Sequence, residues 1–277
     1  MSTSVQPTLS PRPFLKWAGG KTKLIQQYIP FFPKEFKAYY EPFLGGGAVF
    51  FYLNPSCGYL TDINPELINA YRCVKNDVEE LIEILEVHQL NHSKDYYYDV
   101  RHCHGVTDIE KAARLIYLNK TCFNGLYREN SRGEFNVPIG KYKNPKICNP
   151  DLLRSASAAL QKALIDVRPF EDILERASRC DDFVYFDPPY HPLSPTSNFT
   201  AYSRSSFNRD NQIKLKEVFA ELAQRGVKVM LSNSDCQFIR ELYRDFNIRI
   251  HPILASRLIN SNIQKRGRIP ELLITSY

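Results

Sequence analysis

Asp182-Phe183-Val184-Tyr185-Phe186-Asp187-Pro188-Pro189-Tyr190 passes from an apolar run into a carboxylate, two prolines and an aromatic ring. The run has the length and the aromatic and β-branched content of a buried strand. In open α/β sheets, ligands bind beyond the carboxyl ends of the strands, which is where Asp187 falls. The prolines freeze φ and carry no N–H, so the turn offers acceptors beside a flat ring. Such a tetrapeptide suits a planar amino group held while its nitrogen is modified. An ordinary proline turn after a strand would also account for these four residues.

The flanking sequence alternates strand and helix. Strands are expected at 36–41, 57–61, 163–167, 183–186, 227–231, 248–251 and 272–276. Helices are expected at 22–28, 48–53, 66–90, 152–161, 209–224 and 236–246. This alternation predicts an α/β fold with a largely parallel sheet. Residues 91–150 break the rhythm with clustered tyrosines, asparagines, glycines and basic side chains, and read as an inserted, partly helical recognition region. Residues 1–13 are polar and proline-bearing, without the apolar core of a secretory signal, and read as a flexible lead-in.

At 277 residues the chain can bury a sizeable core, and its net charge of +6 leans towards an anionic partner. Seven cysteines with no CxxC pair read as reduced thiols of a cytoplasmic protein. His102-Cys103-His104 is a local cluster of soft ligands, but adjacent side chains point apart, so no metal is expected. No apolar stretch has the length of a membrane span.

Two further motifs narrow the chemistry. Glu41-Pro42-Phe43-Leu44-Gly45-Gly46-Gly47 is a glycine-rich turn after the first strand, and Asp62 ends the second. The turn lets backbone approach a ligand, and the acid is placed for a ribose diol. The pyrophosphate fingerprint G-x-G-x-x-G is missing, which disfavours a nicotinamide enzyme and favours a nucleoside cofactor without phosphates. S-adenosylmethionine fits; a plain turn with a solvated Asp62 is the competing reading. Phe14-Leu15-Lys16-Trp17-Ala18-Gly19-Gly20-Lys21 holds the sole tryptophan, with Trp17 placed to lie over a cofactor and Lys21 to meet a carboxylate. A Trp beside two glycines is as readily a packing residue.

Taken in order, residues 14–21, 41–51, 60–71, 119–142 and 187–190 closely resemble the Dam-type DNA adenine-N6 methyltransferases of the α arrangement, over nearly the whole chain from about residue 14. The resemblance implies a Rossmann-like S-adenosylmethionine-dependent sheet with an inserted, mainly helical target-recognition domain. It places the catalytic domain at 14–75 and 160–277 and the recognition domain at 76–159. It implies cofactor contacts from Trp17, Lys21, Phe43, Gly45 and Asp62, and more loosely from Phe170 and Asp172. Asp187, Pro188, Pro189 and Tyr190 become the target-base site. Lys16, Phe123, Asn124, Leu126, Arg128, Lys141, Tyr142, Asn198 and Arg257 become DNA contacts, with the pattern of 119–142 resembling readers of GATC. The two basic or polar stretches 197–203 and 257–268 then read as DNA-facing loops. The departures are Phe123, where a tyrosine is often found, and Tyr127, where smaller residues occur.

The implied activity is methyl transfer to adenine N6 in double-stranded DNA, with the base flipped out and no covalent or metal step, by a monomer associated with the nucleoid. Two other readings stay open: the same chemistry on another site or on cytosine N4, and a catalytically silent DNA-binding relative.

Overall fold

The structure is a computed structural model that describes residues 10–193, 207–245, 247–256 and 268–277. A 3₁₀ turn at Lys21–Lys23 leads into α1 (Ile25–Tyr28), and a second, containing Pro30, ends it. Next come β1 (Ala38–Glu41), α2 (Ala48–Leu53), β2 (Gly58–Asp62), α3 (Pro65–Asn76) and α4 (Val78–Leu90). The 91–150 stretch carries α5 (Lys94–His102) and α6 (Asp108–Thr121), and α7 (Pro150–Leu160) follows it. β3 (Ala163–Val167), β4 (Asp182–Phe186), α8 (Arg209–Gln224), β5 (Lys228–Ser234), α9 (Gln237–Leu242), β6 (Arg249–Ser256) and β7 (Arg268–Thr275) follow. The seven strands and their mostly parallel pairing make this the α/β, Rossmann-like methyltransferase class expected from sequence.

The fold divides into two compact units. The first joins the segment ending at Thr22 to Leu44–Val167, and the second joins Lys23–Phe43 to Arg168–Tyr277. In the first unit β2 and β3 run parallel, from Gly58 against Ala163 to Asp62 against Val167. α6 is its central helix: Ala112 through Asn119 are all buried, and the buried Arg114 is satisfied by the Val100 and Arg101 carbonyls. A capping box starts it, with the Thr107 side chain accepting from Glu110 N–H and the Glu110 carboxylate accepting from Thr107 N–H.

In the second unit the order is β1-β4-β5-β7-β6, with β1, β4 and β5 parallel and β7 antiparallel to both its neighbours. Every residue of β4 is buried, as expected of a central parallel strand covered on both faces. Asp182 survives burial at its start because Ser178 N–H and Arg179 N–H both donate to its carboxylate at 3.0 Å. β6 lies at the edge of this order and carries Pro252, a residue that edge strands tolerate. The Gln27 amide exchanges two hydrogen bonds with Leu254 backbone, of 2.9 and 3.1 Å, and so covers part of that edge.

One expected element is broken. The periodic stretch 66–90 forms two helices, because Asp77 leaves helical geometry with φ −130° and ψ 37°. The apolar face continues across the break through Val74, Leu81, Ile82 and Leu85, so periodicity alone does not reveal it.

An aromatic and histidine nest links α4, α5 and α6. The His88 ring stacks on Tyr117 at 4.9 Å, and His88 Nδ1 lies 2.8 Å from the Tyr96 hydroxyl. Burial holds the His88 and His92 imidazoles below their usual value of 6.5. The fold thus favours the neutral rings, and their contribution is fully present above pH 6.5 and lost as pH falls below it. The melting temperature is therefore expected to drop from pH 7 to about 5.5, with the drop smaller in His88→Gln. Equal pH slopes in melts of the two proteins would remove His88 from this account.

Candidate active site

In the first unit the glycine turn and Asp62 form one construction. Asp62 Oδ2 accepts Gly45 N–H at 3.2 Å, and Oδ1 accepts Asn64 N–H at 3.0 Å. Burial raises the Asp62 pKa, and the backbone donors from Asn64, Gly45 and Ile63 oppose that rise. Asn64 in turn caps α3, its side chain accepting Leu67 N–H at 3.1 Å. The carboxylate is thus oriented by backbone on two sides while keeping further lone pairs for a ligand diol.

Gly45 (φ +46°) and Gly47 (φ +63°) occupy the left-handed region, and neither site has room for a side chain. A Cβ at Gly45 would stand 2.8 Å from Trp17 Cδ1, so the indole lies directly on this turn. Tyr71, buried on α3, donates to the Gly45 carbonyl at 3.1 Å and supports the turn from beneath. Lys21 is buried and its ammonium donates to the Gly19 carbonyl.

The same unit carries the recognition segment. Phe123, Asn124, Lys141 and Tyr142 are exposed, and Leu126 and Arg128 are half-buried. Asn124 is held at φ +56°, a strained setting for a non-glycine residue that often marks a functional turn. The Arg128 guanidinium is anchored on Asn136, with Nε donating to Oδ1 at 2.6 Å and Nη2 to the carbonyl at 3.2 Å. Exposed Lys16 places its ammonium 4.3 Å from the centre of the Tyr142 ring, a cation–π contact. Asn198, Arg257 and the rest of 197–203 and 257–267 lie outside the described residues.

In the second unit the Asp187 carboxylate is held from behind. Ser232 Oγ lies 2.8 Å from Asp187 Oδ1 and 3.0 Å from the Tyr185 hydroxyl. A serine has one proton, and the shorter contact to the carboxylate takes it, so Tyr185 donates to Ser232. Burial, reinforced by Asp187, drives the Tyr185 pKa far up and keeps that donor protonated. Tyr190 is half-buried, and its hydroxyl donates to Glu271 Oε2 at 2.9 Å.

The proline turn itself is clamped by buried amides. Gln212 donates to the Pro189 carbonyl at 3.0 Å, Asn233 donates to Gln212 at 2.9 Å, and Asn233 Oδ1 accepts His191 N–H at 3.1 Å. Phe43 stacks on Phe170 at 5.3 Å, and Phe207 meets both edge-on, giving an apolar wall. Asp172 is paired with Arg168 at 3.2 Å.

Several of these groups were missed from sequence: Ser232, Gln212, Asn233, Glu271, Phe207, Tyr71 and Asn119. One signal was readable. Ser232-Asn233-Ser234 is a polar triplet closing the apolar strand β5, at the end where ligands bind. Among the described residues, no three His, Cys, Asp or Glu side chains are grouped to hold a metal ion, and no helix is long and apolar enough to cross a membrane.

Comparison with known proteins places relatives alongside this geometry. The sequence pattern of the D12 class of N6 adenine-specific DNA methyltransferases matches residues 17–253. A type II methyltransferase of Lactococcus lactis subsp. cremoris is 44% identical over 96% of this chain and 95% of its own length. One of Methanocaldococcus jannaschii is 45% identical over 96% and 99%. The DNA adenine methylase of Escherichia coli is 38% identical over 95% and 94%.

The packing at Gly45 has a direct consequence. Gly45→Ala is expected to push the indole aside and to cost about 1 kcal/mol or more in strain at a positive φ. The emission of Trp17, the sole tryptophan, should shift and the melting temperature should fall. Unchanged emission would show that the ring does not rest on the turn.

Proposed function

Because the chain belongs to the D12 class of N6 adenine-specific DNA methyltransferases, we propose that it methylates adenine N6 within GATC in double-stranded DNA, taking the methyl group from S-adenosylmethionine. The observation that carries the catalytic reading is the Asp187 carboxylate at the end of β4, held by the Tyr185–Ser232 relay. The relatives named as DNA adenine methylases support adenine as the target base, and the resemblance of 119–142 to readers of GATC supports the site. Residues 76–159 serve as the recognition domain inserted between the catalytic segments 14–75 and 160–277, and the enzyme acts as a monomer.

The side chains present suit the donor. Asp62, oriented by Gly45 and Asn64 N–H, suits a ribose diol. Phe43, Phe170 and Phe207 form an apolar wall that would suit a planar adenine. The buried Lys21 ammonium matches an amino-acid carboxylate. Trp17 supplies a flat apolar face. When bound, S-adenosylmethionine provides a methyl group activated by its sulfonium.

Adenine N6 is a weak nucleophile because its lone pair is delocalised into the ring. Asp187 and the Pro188 carbonyl each accept one N6 hydrogen, which lets the nitrogen rehybridise and aim its lone pair. Positive charge then develops on N6 beside a carboxylate that is already oriented, so the stabilisation is greatest in the transition state. Each carboxylate oxygen has more than one lone pair, so the Ser232 bond and an N6 hydrogen are compatible. Since N6 lies inside the duplex, the base is flipped out. Tyr190, its phenol tied to Glu271, offers a ring of set orientation for stacking. Phe123, Asn124 and Leu126 support the place it leaves, Arg128 reads a guanine, and Lys16, Lys141 and Tyr142 act at the flanks, with Asn198 and Arg257 adding further contacts.

Purified protein with S-adenosylmethionine is expected to protect GATC-bearing DNA from a nuclease blocked by adenine methylation. Methyl incorporation equal on duplexes with and without GATC would overturn the site assignment, and none on any duplex would overturn the reaction. Asp187→Ala should abolish transfer with DNA binding retained. Ser232→Ala should lower kcat about 10- to 100-fold with little change in KM, the size of a hydrogen bond to a charged group. Full kcat in Ser232→Ala would reduce the relay to packing. Arg128→Ala should relax discrimination at one guanine by about 1–3 kcal/mol; uniform weakening on all duplexes would make it a phosphate contact.

A further inference from the structure

Tyr127 stands at a junction within the first unit. Its ring stacks on Trp17, with centroids 5.6 Å apart and planes inclined by 27°. The indole is thereby held between Tyr127 and the Gly45 turn, where a Cβ would come within 2.8 Å of it. The Tyr127 hydroxyl donates to Glu66 Oε2 at 3.0 Å and also meets the Glu129 carboxylate. Glu66 lies in the first turn of α3, the helix capped by Asn64, whose N–H in turn donates to Asp62. The opposite edge of Tyr127 packs on Phe135 at 6.0 Å.

A second tie binds the same two segments. The Asn119 side chain accepts Lys16 N–H at 2.8 Å and donates to the Lys16 carbonyl at 2.6 Å and the Gly125 carbonyl at 3.1 Å. The residue before Trp17 is therefore clasped by the recognition segment, and Trp17 itself is covered by it. The donor-side loop and the DNA-side segment have few independent ways to move.

We infer that Tyr127 is a positioning residue that sets the Trp17 indole from the recognition segment, so that ordering of 119–142 on DNA and occupation of the donor site strengthen each other. This rests on the reading that Trp17 lies against the methyl donor. Coupling of this kind is reciprocal, so the gain in donor affinity caused by DNA equals the gain in DNA affinity caused by donor. The stack fixes the face of the indole, and the carboxylate bonds fix the phenol that makes the stack. An aromatic pair of this geometry corresponds to about two- to tenfold in affinity.

The test uses the full chain, S-adenosylhomocysteine as a non-transferring probe and a duplex with one GATC, with binding followed by calorimetry and by Trp17 emission. In the wild type the probe is expected to quench Trp17 and to bind several-fold tighter with duplex present. Tyr127→Leu should weaken the probe alone by about two- to tenfold and bring the duplex effect to within twofold of none. Tyr127→Phe, which keeps the ring and loses the carboxylate bonds, should retain the stack and part of the coupling. Should the leucine variant melt below the working temperature, the phenylalanine variant decides: coupling lowered at least twofold supports the inference, and coupling equal to wild type overturns it. Undiminished coupling in a folded Tyr127→Leu, or no coupling in the wild type, overturns it as well. Probe binding seen by calorimetry with no change in Trp17 emission would instead strike the reading of Trp17 as a donor contact, a separate failure.

Discussion

The 2.8 Å hydrogen bond from Ser232 to Asp187 is the constraint around which the second unit is arranged. A carboxylate at a strand end is ordinarily free to choose among rotamers and to draw water. Here a buried serine on β5, itself supplied by the Tyr185 hydroxyl, fixes one oxygen. The arrangement needs β4 and β5 to be adjacent and parallel, so that Phe186 pairs with Leu231 and the next residues of both strands meet. The buried amides of Gln212 and Asn233 then hold the proline turn, which has no N–H of its own at two positions. A site so built presents oriented acceptors without having to reorganise during reaction.

The first unit solves a different problem, the close approach of backbone to the Trp17 indole. Left-handed glycines let the turn after β1 pass beneath Trp17, and Tyr71 and Asp62 hold that turn from two directions. Burying Asp62 costs solvation, as its raised pKa reflects, and the backbone donors of Asn64, Gly45 and Ile63 offset part of that cost. The 119–142 segment is tied to this loop by Asn119, which accepts Lys16 N–H, and by Tyr127, which stacks on Trp17, so the two segments share a common support.

Most strands and helices were legible because they are long or strongly apolar: the β4 run, α8 and α2 fall within a residue of their expected bounds. The break at Asp77 was not legible, since a single non-helical residue leaves the apolar stripe continuous. Of the candidate site, the residues that lie in compact motifs were legible as candidates: Asp187, Tyr190, Gly45, Asp62 and Trp17. Ser232 was marked only by the polar triplet that closes β5, while Gln212 and Glu271 lie 23 and 81 residues from Pro189 and Tyr190, and nothing local marks either as a partner of the proline turn.

The sequence by itself determined the fold class, the family and the chemical types at the site, because these are written in short-range patterns: a period of two or 3.6, a proline pair, a glycine run. Only the tertiary structure decided which groups orient the reacting ones. Hydrogen bonds such as Ser232 to Asp187, Tyr190 to Glu271 and Tyr127 to Glu66 join residues from 45 to 81 positions apart. Such pairings are set by strand order and helix packing, and chain composition carries no record of them.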